Sequence, residues 1–265
     1  MPRDDGSSGW PTGITRIEPD EIRLRGYRID ELMGRLRFAD VVFLAFRGEL
    51  PSREEAELLD ALLVAAVDHG VTPPSALAAR TVASTGAALN ASIAAGVLAI
   101  NRFHGGAIED AMRLFYEGVR SAGEDGDLAS AADALAARLK GEGKRAAGFG
   151  HRYHKNDPRT ARLFELSREK GLFGPHQRFA LAMRESVSRL AGKELPLNVD
   201  GAMAAVLCDL GFPPEYANAF FIVARVPGLA AHYFEETTRF RPMRRVTPDA
   251  HYYDGPPPRE LSDSR

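Results

Sequence analysis

Four of the seven histidines in this chain stand beside glycine or in loop-like stretches at the ends of predicted helices: His69, His104, His151 and, more weakly, His154. An imidazole titrates near neutral pH, so it can act as a general acid or base, or donate a hydrogen bond to a developing negative charge. Neighbouring glycines let the backbone approach a ligand closely. A structural or surface role is the ordinary alternative for any one histidine, but their repeated placement beside glycine favours a site.

Asp200 lies in the segment LNVDGAMAAVL, directly before a predicted helix. An aspartate there is a common N-cap, because its carboxylate accepts backbone N–H groups of the first turn. The same carboxylate is also a suitable catalytic base. The residues alone leave these two interpretations equally open.

Two arginines occupy positions where a positive charge is unfavourable without a partner. Arg159 follows Asp157-Pro158, so its charge opposes the dipole at the start of a predicted helix. A carboxylate ligand would explain this placement; the alternative is a solvated arginine with an ordinary acidic neighbour. Arg225 lies inside the apolar run FFIVARVPGLAA, where an unpaired charge is costly. We therefore expect Arg225 to meet an anion from the protein or from a substrate.

The sequence gives only weak signals for a nucleotide-binding loop, a metal site or a serine nucleophile. Gly148-Phe149-Gly150 is not a dinucleotide-binding loop, because no buried strand precedes it and the full glycine spacing is missing. His151 and His154 are three residues apart, but no further ligand nearby completes a metal site, so we expect no metal. A serine nucleophile would need an elbow motif that this sequence lacks.

Composition narrows the class of protein. The chain has 265 residues, of which 45% are hydrophobic, and a formal net charge of −2. These values predict a sizeable core and argue against nucleic acid or a membrane surface as a partner. Residues 1–13 are polar and contain no apolar stretch, so we expect no signal peptide. A single cysteine, Cys208, excludes an internal disulfide and fits a soluble protein of the reducing cytoplasm.

The predicted elements are almost entirely helical, and the class is all-α. Alternation around Glu18-Pro19-Asp20 predicts one small β-hairpin at Ile14 to Leu24. The run from Ala76 to Ile100 reads as a buried small-residue helix or helix pair, because polar residues interrupt it too often for a membrane span. Other start and stop signals predict five further helices: Ser52 towards Gly70, Asp127 to Gly141, Asp157 to Gly171, Gly201 to Gly211, and from after Pro213-Pro214 to about Phe240. Pro227 is a candidate kink in the last of these helices. The last dozen residues are expected to form a loose tail.

Six segments spanning about Ile14 to Arg245 resemble, in order, segments of the citrate synthase family. The resemblance is strongest to its short citryl-CoA lyase branch, and it implies a helical homodimer. The large domain would comprise residues 1–106 and 213–265 with the C-terminal tail, and the small domain residues 107–212, with a cleft between them. The segments are RLRGYRIDELMGRLRFADVVFLAFRGELP, DHG at 68–70, VASTGAALNASIAAGVLAI with HGGAIED, GFGHRYHKNDPR, LNVDGAMAAVL, and VARVPGLAAHYFEE followed by FRP.

The resemblance also implies roles for individual residues. Asp200 would take a proton from a thioester methyl group, His104 would stabilise the enolate, and His151 would polarise the ketone of oxaloacetate. In cleavage of citryl-CoA the same groups act in reverse. The remaining implied residues are His69, Arg159 and Arg225 for substrate carboxylates, Arg241 reaching into the neighbouring site of the dimer, and Gly148, Phe149, Gly150, Arg152 and Lys155 for coenzyme A.

Departures from the family pattern bear on the direction of the reaction. The chain is much shorter than typical citrate synthases, and its DHG segment continues as VTPP instead of the glutamate and Asn-Ala-Ser of the synthases. Both features resemble citryl-CoA lyase and favour cleavage. His104, which synthases use for enolisation, is nevertheless present, so a citrate synthase or 2-methylcitrate or alkylcitrate synthase stays an alternative. A non-catalytic partner subunit with the same fold is a further alternative, because fold alone does not fix function.

Overall fold

The computed structural model describes residues 9–123, 126–150 and 157–260. A small antiparallel sheet opens the described chain, with strands β1 (Thr15–Glu18), β2 (Glu21–Leu24) and β3 (Tyr27–Arg28) in the order β1-β2-β3. The predicted hairpin is confirmed: Thr15 pairs with Leu24, and Asp20 takes a positive φ of 61° in the turn. The third strand was not predicted, since two residues carry too little pattern to recognise.

Helices make up nearly all of the remaining regular structure that is described, as the sequence predicts. The first five are α1 (Ile29–Leu32), α2 (Phe38–Arg47), α3 (Arg53–Ala66), α4 (Pro74–Ala83) and α5 (Leu89–Leu98). The next six are α6 (Ala107–Ala122), α7 (Leu128–Gly141), α8 (Pro158–Glu169), α9 (Pro175–Ala191), α10 (Val199–Asp209) and α11 (Ala217–Arg239), with short 3-10 turns at Pro214–Tyr216 and Pro248–Ala250.

Capping residues set several of these helix starts. Ser52 accepts a hydrogen bond from the Glu55 backbone N–H while the Glu55 carboxylate accepts one from the Ser52 N–H, which is the predicted capping box of α3. Asp127 and Asp157 cap α7 and α8, also as predicted. Such local signals are readable from sequence because the bonds join residues two or three positions apart.

Helix α10 is the most deeply buried element that is described. Every residue from Gly201 to Cys208 is buried, and the helix packs against α6, α8 and α9. Its residues are small or apolar all round, which is the pattern of a helix enclosed on every side. The residues at its N-terminus are therefore carried into the interior of the protein.

The Ala76 to Ile100 run forms a helix pair, α4 and α5, but the expectation that it is buried is wrong for α5 in the single chain. Only Ser92 and Gly96 of α5 are buried, and Leu98 is 77% exposed. Gly96 faces Leu229 of α11, where a Cβ would lie 2.8 Å from a leucine methyl carbon. Ile93 and Val97 are only partly buried against the neighbouring helices, so the apolar surface of α5 is incompletely covered within the described chain.

Helix α11 runs from Ala217 to Arg239 as one element and contains Pro227 within it. Residues 251–260 have neither helix nor strand, as expected for a C-terminal tail. In the described ranges, no helix has the length and apolar character needed to cross a membrane.

Candidate active site

The C-terminal end of α3 holds two arginines from distant parts of the chain. Arg159 Nη1 donates to the Ala65 carbonyl at 3.4 Å, and Arg225 Nε donates to the Ala66 carbonyl at 3.0 Å. The last carbonyls of a helix lack partners within the helix and carry partial negative charge, so they attract guanidinium groups. The end of α3 thus brings both cations to one place.

Arg225 is only 3% exposed, yet no hydrogen-bonded carboxylate within the described ranges neutralises it. Its Nη1 is buried and has no hydrogen-bond partner there, and its guanidinium lies 4.9 Å from the centre of the Phe221 ring. Burial lowers the pKa of Arg225 from its ordinary value, although not enough to discharge an arginine. A buried cation with an unsatisfied donor is poised to accept an anion.

Arg159 has the acidic neighbour that the sequence allowed as an alternative. Asp157 accepts hydrogen bonds from Arg159 Nε at 3.0 Å and Nη2 at 2.7 Å, and from the Arg159 backbone N–H at 3.0 Å. The Asp157 side chain is almost fully buried and the Arg159 side chain is 22% exposed. The pair orients Arg159 and leaves one side of it at the cavity described below.

His104 lies in the tight turn between α5 and α6. Its Nε2 is 2.8 Å from the Ser75 hydroxyl at the start of α4, and its ring packs edge-on against Phe221 at 5.6 Å. Burial, together with the nearby charge of Arg225, lowers the pKa of His104 below its ordinary value. This shift favours the neutral imidazole, which can donate one hydrogen bond.

Asp200 is not the N-cap of its helix, which corrects one of the two interpretations left open by the sequence. The cap is Asn198, whose side-chain oxygen accepts the Gly201 N–H at 3.0 Å. Asp200 lies in the first turn of α10, and its carboxylate makes no hydrogen bond within the described ranges. Desolvation raises the pKa of Asp200 to about 6, against the lowering effect of Arg159 and Arg225.

Asn198 also joins the start of α10 to the loop at 148–150. Its side-chain nitrogen donates to the Gly150 carbonyl at 2.9 Å, and its backbone N–H donates to the Gly148 carbonyl at 3.0 Å. Gly148 has a φ of +85°, and a Cβ there would lie 2.7 Å from the Cα of Gly201, so only glycine fits. This loop leads directly into the chain segment that contains His151.

One cavity of about 510 Å³ gathers most of the predicted catalytic and substrate-binding side chains. His69, His104, Gly150, Arg159, Asp200 and Arg225 all line it. A second cavity, of about 720 Å³, is lined by Phe149 and Gly150 together with the cations Lys140, Lys144, Arg145 and Lys193. Gly150 lines both cavities, so the two cavities are adjacent at the loop formed by residues 148–150.

Some predicted residues lie elsewhere. Arg241 is exposed, follows the end of α11 and does not line either cavity. Gly148 packs against α10 and lines neither cavity. His151, Arg152, His154 and Lys155 fall outside the described residues. Within the described ranges, no three His, Cys, Asp or Glu side chains come together as a metal site.

Sequence reasoning missed Ser75 and Asn198, and it predicted Asp157 as the N-cap of α8 without naming it as the partner of Arg159. Ser75 follows Pro73-Pro74 at a helix start, but its partner is 29 residues away, and nothing local marks it. Asn198 is a common capping residue two positions before Asp200, and this would have been a signal that Asp200 is free of the capping role.

Comparison with known proteins shows similarity both to a family of proteins and to solved structures. The family described as "Citrate synthase, C-terminal domain" matches residues 51–245. A solved structure of citryl-CoA lyase from Hydrogenobacter thermophilus is 44% identical, covers 96% of this chain and 97% of that chain, and has a TM-score of 0.88.

Two curated relatives are from Bacillus subtilis strain 168. Citrate synthase 2 is 30% identical and matches 78% of this chain and 54% of its own length. Citrate/2-methylcitrate synthase is 33% identical and matches 74% of this chain and 52% of its own length. The chain thus spans about half the length of the curated relatives it matches.

Proposed function

The chain belongs to the citrate synthase family, and from this premise we propose that it is a citryl-CoA lyase, which cleaves citryl-CoA to acetyl-CoA and oxaloacetate. The observation that carries the proposal is the similarity, at 44% identity and over nearly the full length of both chains, to a citryl-CoA lyase of known structure. The DHG segment at 68–70 agrees with it.

Asp200 is the proposed acid and base at the acetyl carbon. When the bond between the two halves of citryl-CoA breaks, its electrons form the enolate of acetyl-CoA, and the protonated Asp200 carboxyl donates a proton to that carbon. In the reverse direction the carboxylate removes a proton from the methyl group. A pKa of about 6 suits both directions, because each form of the carboxyl is accessible near neutral pH.

His104 is the proposed partner of the enolate oxygen. If the Ser75 hydroxyl donates to Nε2, the ring hydrogen is on Nδ1 and is available to the enolate. A neutral imidazole whose pKa is lowered by burial keeps this hydrogen without adding a competing charge. His151 is proposed to take the proton of the tertiary alcohol, so that the alkoxide becomes the ketone of oxaloacetate.

The carboxylates of the oxaloacetate half are the proposed ligands of Arg225, Arg159 and His69. Arg225 supports this role most directly, because it is buried and its Nη1 has no hydrogen-bond partner in the part of the chain that the structure describes. A carboxylate would satisfy that donor and neutralise the charge at the same time. Hydrogen bonds to the last carbonyls of α3 already orient both guanidinium groups, so substrate binding costs little further loss of side-chain entropy.

Coenzyme A is proposed to enter as part of the substrate and to lie along the loop at 148–150. The larger cavity offers Lys144, Arg145 and Lys193 for phosphate groups and an apolar wall that includes Phe149. Gly150 borders both cavities, so an extended ligand passing it would span from phosphates to thioester. Arg152 and Lys155 follow Gly150 in the sequence and are proposed to contact the same ligand.

A homodimer in the cytoplasm is the proposed state of the protein. The exposed apolar side chains Leu98 and Phe103, at 77% and 95% exposure, lie at the end of α5 and in the turn after it. A second copy would cover them, since large exposed apolar patches commonly mark interfaces. Arg241 is proposed to contribute to the neighbouring site in this dimer.

Condensation to citrate, or to 2-methylcitrate or another alkylcitrate, is the second candidate function. It is favoured by His104, the enolate partner of the synthases, and by the two Bacillus subtilis relatives. The two functions differ in the fate of citryl-CoA: a synthase hydrolyses it to citrate and free CoA, whereas a lyase does not.

The test is a two-way assay of the purified protein. One arm supplies citryl-CoA and measures acetyl-CoA and oxaloacetate; the other supplies acetyl-CoA and oxaloacetate and measures free CoA and citrate. We expect rapid cleavage with little free CoA in the second arm. Rapid CoA release with citrate accumulating would instead establish a synthase, and silence in both arms would reject both functions.

A further inference from the structure

The turn that comes after α3 carries His69 and is clamped by the aspartate before it. Asp68 accepts the Gly70 backbone N–H at 2.8 Å on one carboxylate oxygen and His232 Nε2 at 2.9 Å on the other. Partial burial would raise the pKa of Asp68, but the bonds from Gly70 and His232 outweigh it and hold the pKa below its ordinary value. His69 lies between Asp68 and Gly70 in the sequence, and it lines the cavity of about 510 Å³ that we propose to hold the substrate.

The orientation of the His232 ring is fixed from its other side. Arg80 Nη1 lies 3.2 Å from His232 Nδ1, and a guanidinium can only donate hydrogen bonds. Nδ1 must therefore accept, which puts the ring hydrogen on Nε2, pointing at Asp68. Arg80 is itself buried and held by Glu236 at 2.7 Å and Glu235 at 2.8 Å.

A close backbone contact presses the same turn against α11. A Cβ at Gly228 would lie 2.2 Å from the Val67 carbonyl oxygen and 3.2 Å from Asp68 Cβ. Only glycine permits this approach, which lies one turn of α11 beyond Arg225 and one turn before His232. The backbone leading to His69 is thus docked on the helix that carries Arg225.

We propose that Asp68 and His232 are positioning residues that hold His69 in place to bind a substrate carboxylate. The inference rests on the proposed function, because it takes His69 as a substrate ligand. A solvated turn does not need a histidine, an arginine and a glutamate buried behind it, and apolar side chains would fill that volume at least as stably. Hydrogen bonds, unlike apolar contacts, fix orientation: Arg80 orients the His232 ring, and His232 orients the Asp68 carboxylate. Asp68 in turn holds the backbone of the turn at Gly70.

The test compares His232→Phe, which keeps the ring volume but loses the hydrogen bond to Asp68, with His232→Gln, whose amide can donate to Asp68 and accept from Arg80. We expect the Phe variant to raise KM for citryl-CoA about tenfold with kcat changed less than about threefold. The Gln variant should restore KM to within about threefold of the wild-type value. Equal KM in all three proteins would overturn the proposal.

A matched control separates positioning from stability. His176 forms a similar pair with Asp209, at 2.8 Å, and lines neither cavity. His176→Phe should lower Tm as much as His232→Phe does, but leave KM unchanged. If both variants raise KM alike, the effect of His232 is structural and the proposal fails.

A double-mutant cycle with His69→Ala completes the test. If His232 acts through His69, His232→Phe should change KM by less than about twofold once His69 is absent. A further tenfold rise in that background would overturn the positioning role while leaving the lyase function intact. Absence of wild-type turnover in both arms of the two-way assay would instead reject the proposed function, and the positioning role with it.

Discussion

The starts of helices α8 and α10 both face the substrate cavity, and each has an aspartate, but the two carboxylates are used in opposite ways. Asp157 is the N-cap of α8 and is almost fully buried with both oxygens bonded to Arg159. At α10 the capping role belongs to Asn198, and Asp200 makes no hydrogen bond within the described part of the chain.

This difference separates a structural carboxylate, that of Asp157, from the carboxylate that we propose to be reactive, that of Asp200. A carboxylate whose oxygens are occupied is stabilised in its charged form and is a poor base. Asn198 takes the capping bond, so the Asp200 carboxylate does not serve as the cap, and desolvation raises its pKa to about 6. We therefore expect the Asp200 carboxyl to be available for proton transfer.

The largest expected effect comes from removing the reactive carboxylate. Asp200→Asn should lose about two or more decades of turnover while still folding, because the amide can neither accept nor donate the proton at the acetyl carbon. The measurement is citryl-CoA cleavage together with exchange of acetyl-CoA methyl hydrogens in deuterated water. Normal turnover by this variant would refute the assignment of Asp200.

The matched substitution at the start of α8, Asp157→Asn, should have a smaller effect, and mainly on KM. Asp157→Asn keeps a good N-cap but loses the ion pair that orients Arg159, so we expect KM to rise about tenfold with kcat largely kept. Thermal unfolding should show a loss of about 1–2 kcal/mol. A loss of kcat as large as that of Asp200→Asn would remove the distinction between the two aspartates.

A third substitution tests whether the capping residue Asn198 influences the pKa of Asp200. Asn198→Asp keeps the cap but loses the donor to Gly150 and places a second carboxylate two residues from Asp200. Like charge raises the pKa of Asp200 further, so the acidic limb of methyl-hydrogen exchange, where protonated Asp200 no longer acts as a base, should move to higher pH.

Asn198→Ser is the control for this change, because it caps the helix without adding charge. Its exchange profile should keep the position of the acidic limb even if the rate falls. Equal movement of the limb in both variants would show that the lost bond to Gly150, and not the added charge, determines the pKa of Asp200.

The smallest effect concerns stability and pH. The pKa of Asp200 is raised from 3.8 to about 6, so the folded state binds more protons than the unfolded state between these values, and stability falls as pH rises through this window. Asp200→Asn should be more stable than the wild type at pH 8 by about 1–2 kcal/mol, after allowance for solvent at the cavity. Melting curves should show this advantage shrinking towards pH 4.5; an advantage independent of pH would contradict the raised pKa.

Much of the fold could be predicted because its signals are local. The capping box at Ser52 and Glu55 and the caps at Asp127 and Asp157 all join residues close in sequence, and the structure has each helix start where they predict it. The exposure of α5 was predicted wrongly, because an apolar small-residue run does not reveal what packs against it. The division into large and small domains stays a prediction.

The candidate site was predictable in its residue types more than in its contacts. Arg225 stood out as a cation in an apolar run, and it is indeed buried without a bonded carboxylate in the described ranges. The choice between cap and base at Asp200 could not be made from sequence, because both roles suit an aspartate near a helix start. The structure rejects the cap, whereas the role as base stays a prediction.

The sequence by itself determined the all-helical class, the helix starts capped by Ser52, Asp127 and Asp157, and the set of ionisable residues able to do chemistry, since each depends on residue types or on neighbours within a few positions. Only the tertiary structure decided that the end of α3 receives Arg159 and Arg225, that Ser75 meets His104, and that Asp68 meets His232. These contacts join residues 29 to 164 positions apart. No local pattern encodes such pairings, because they arise when the packing of whole helices brings their ends to the same cavity.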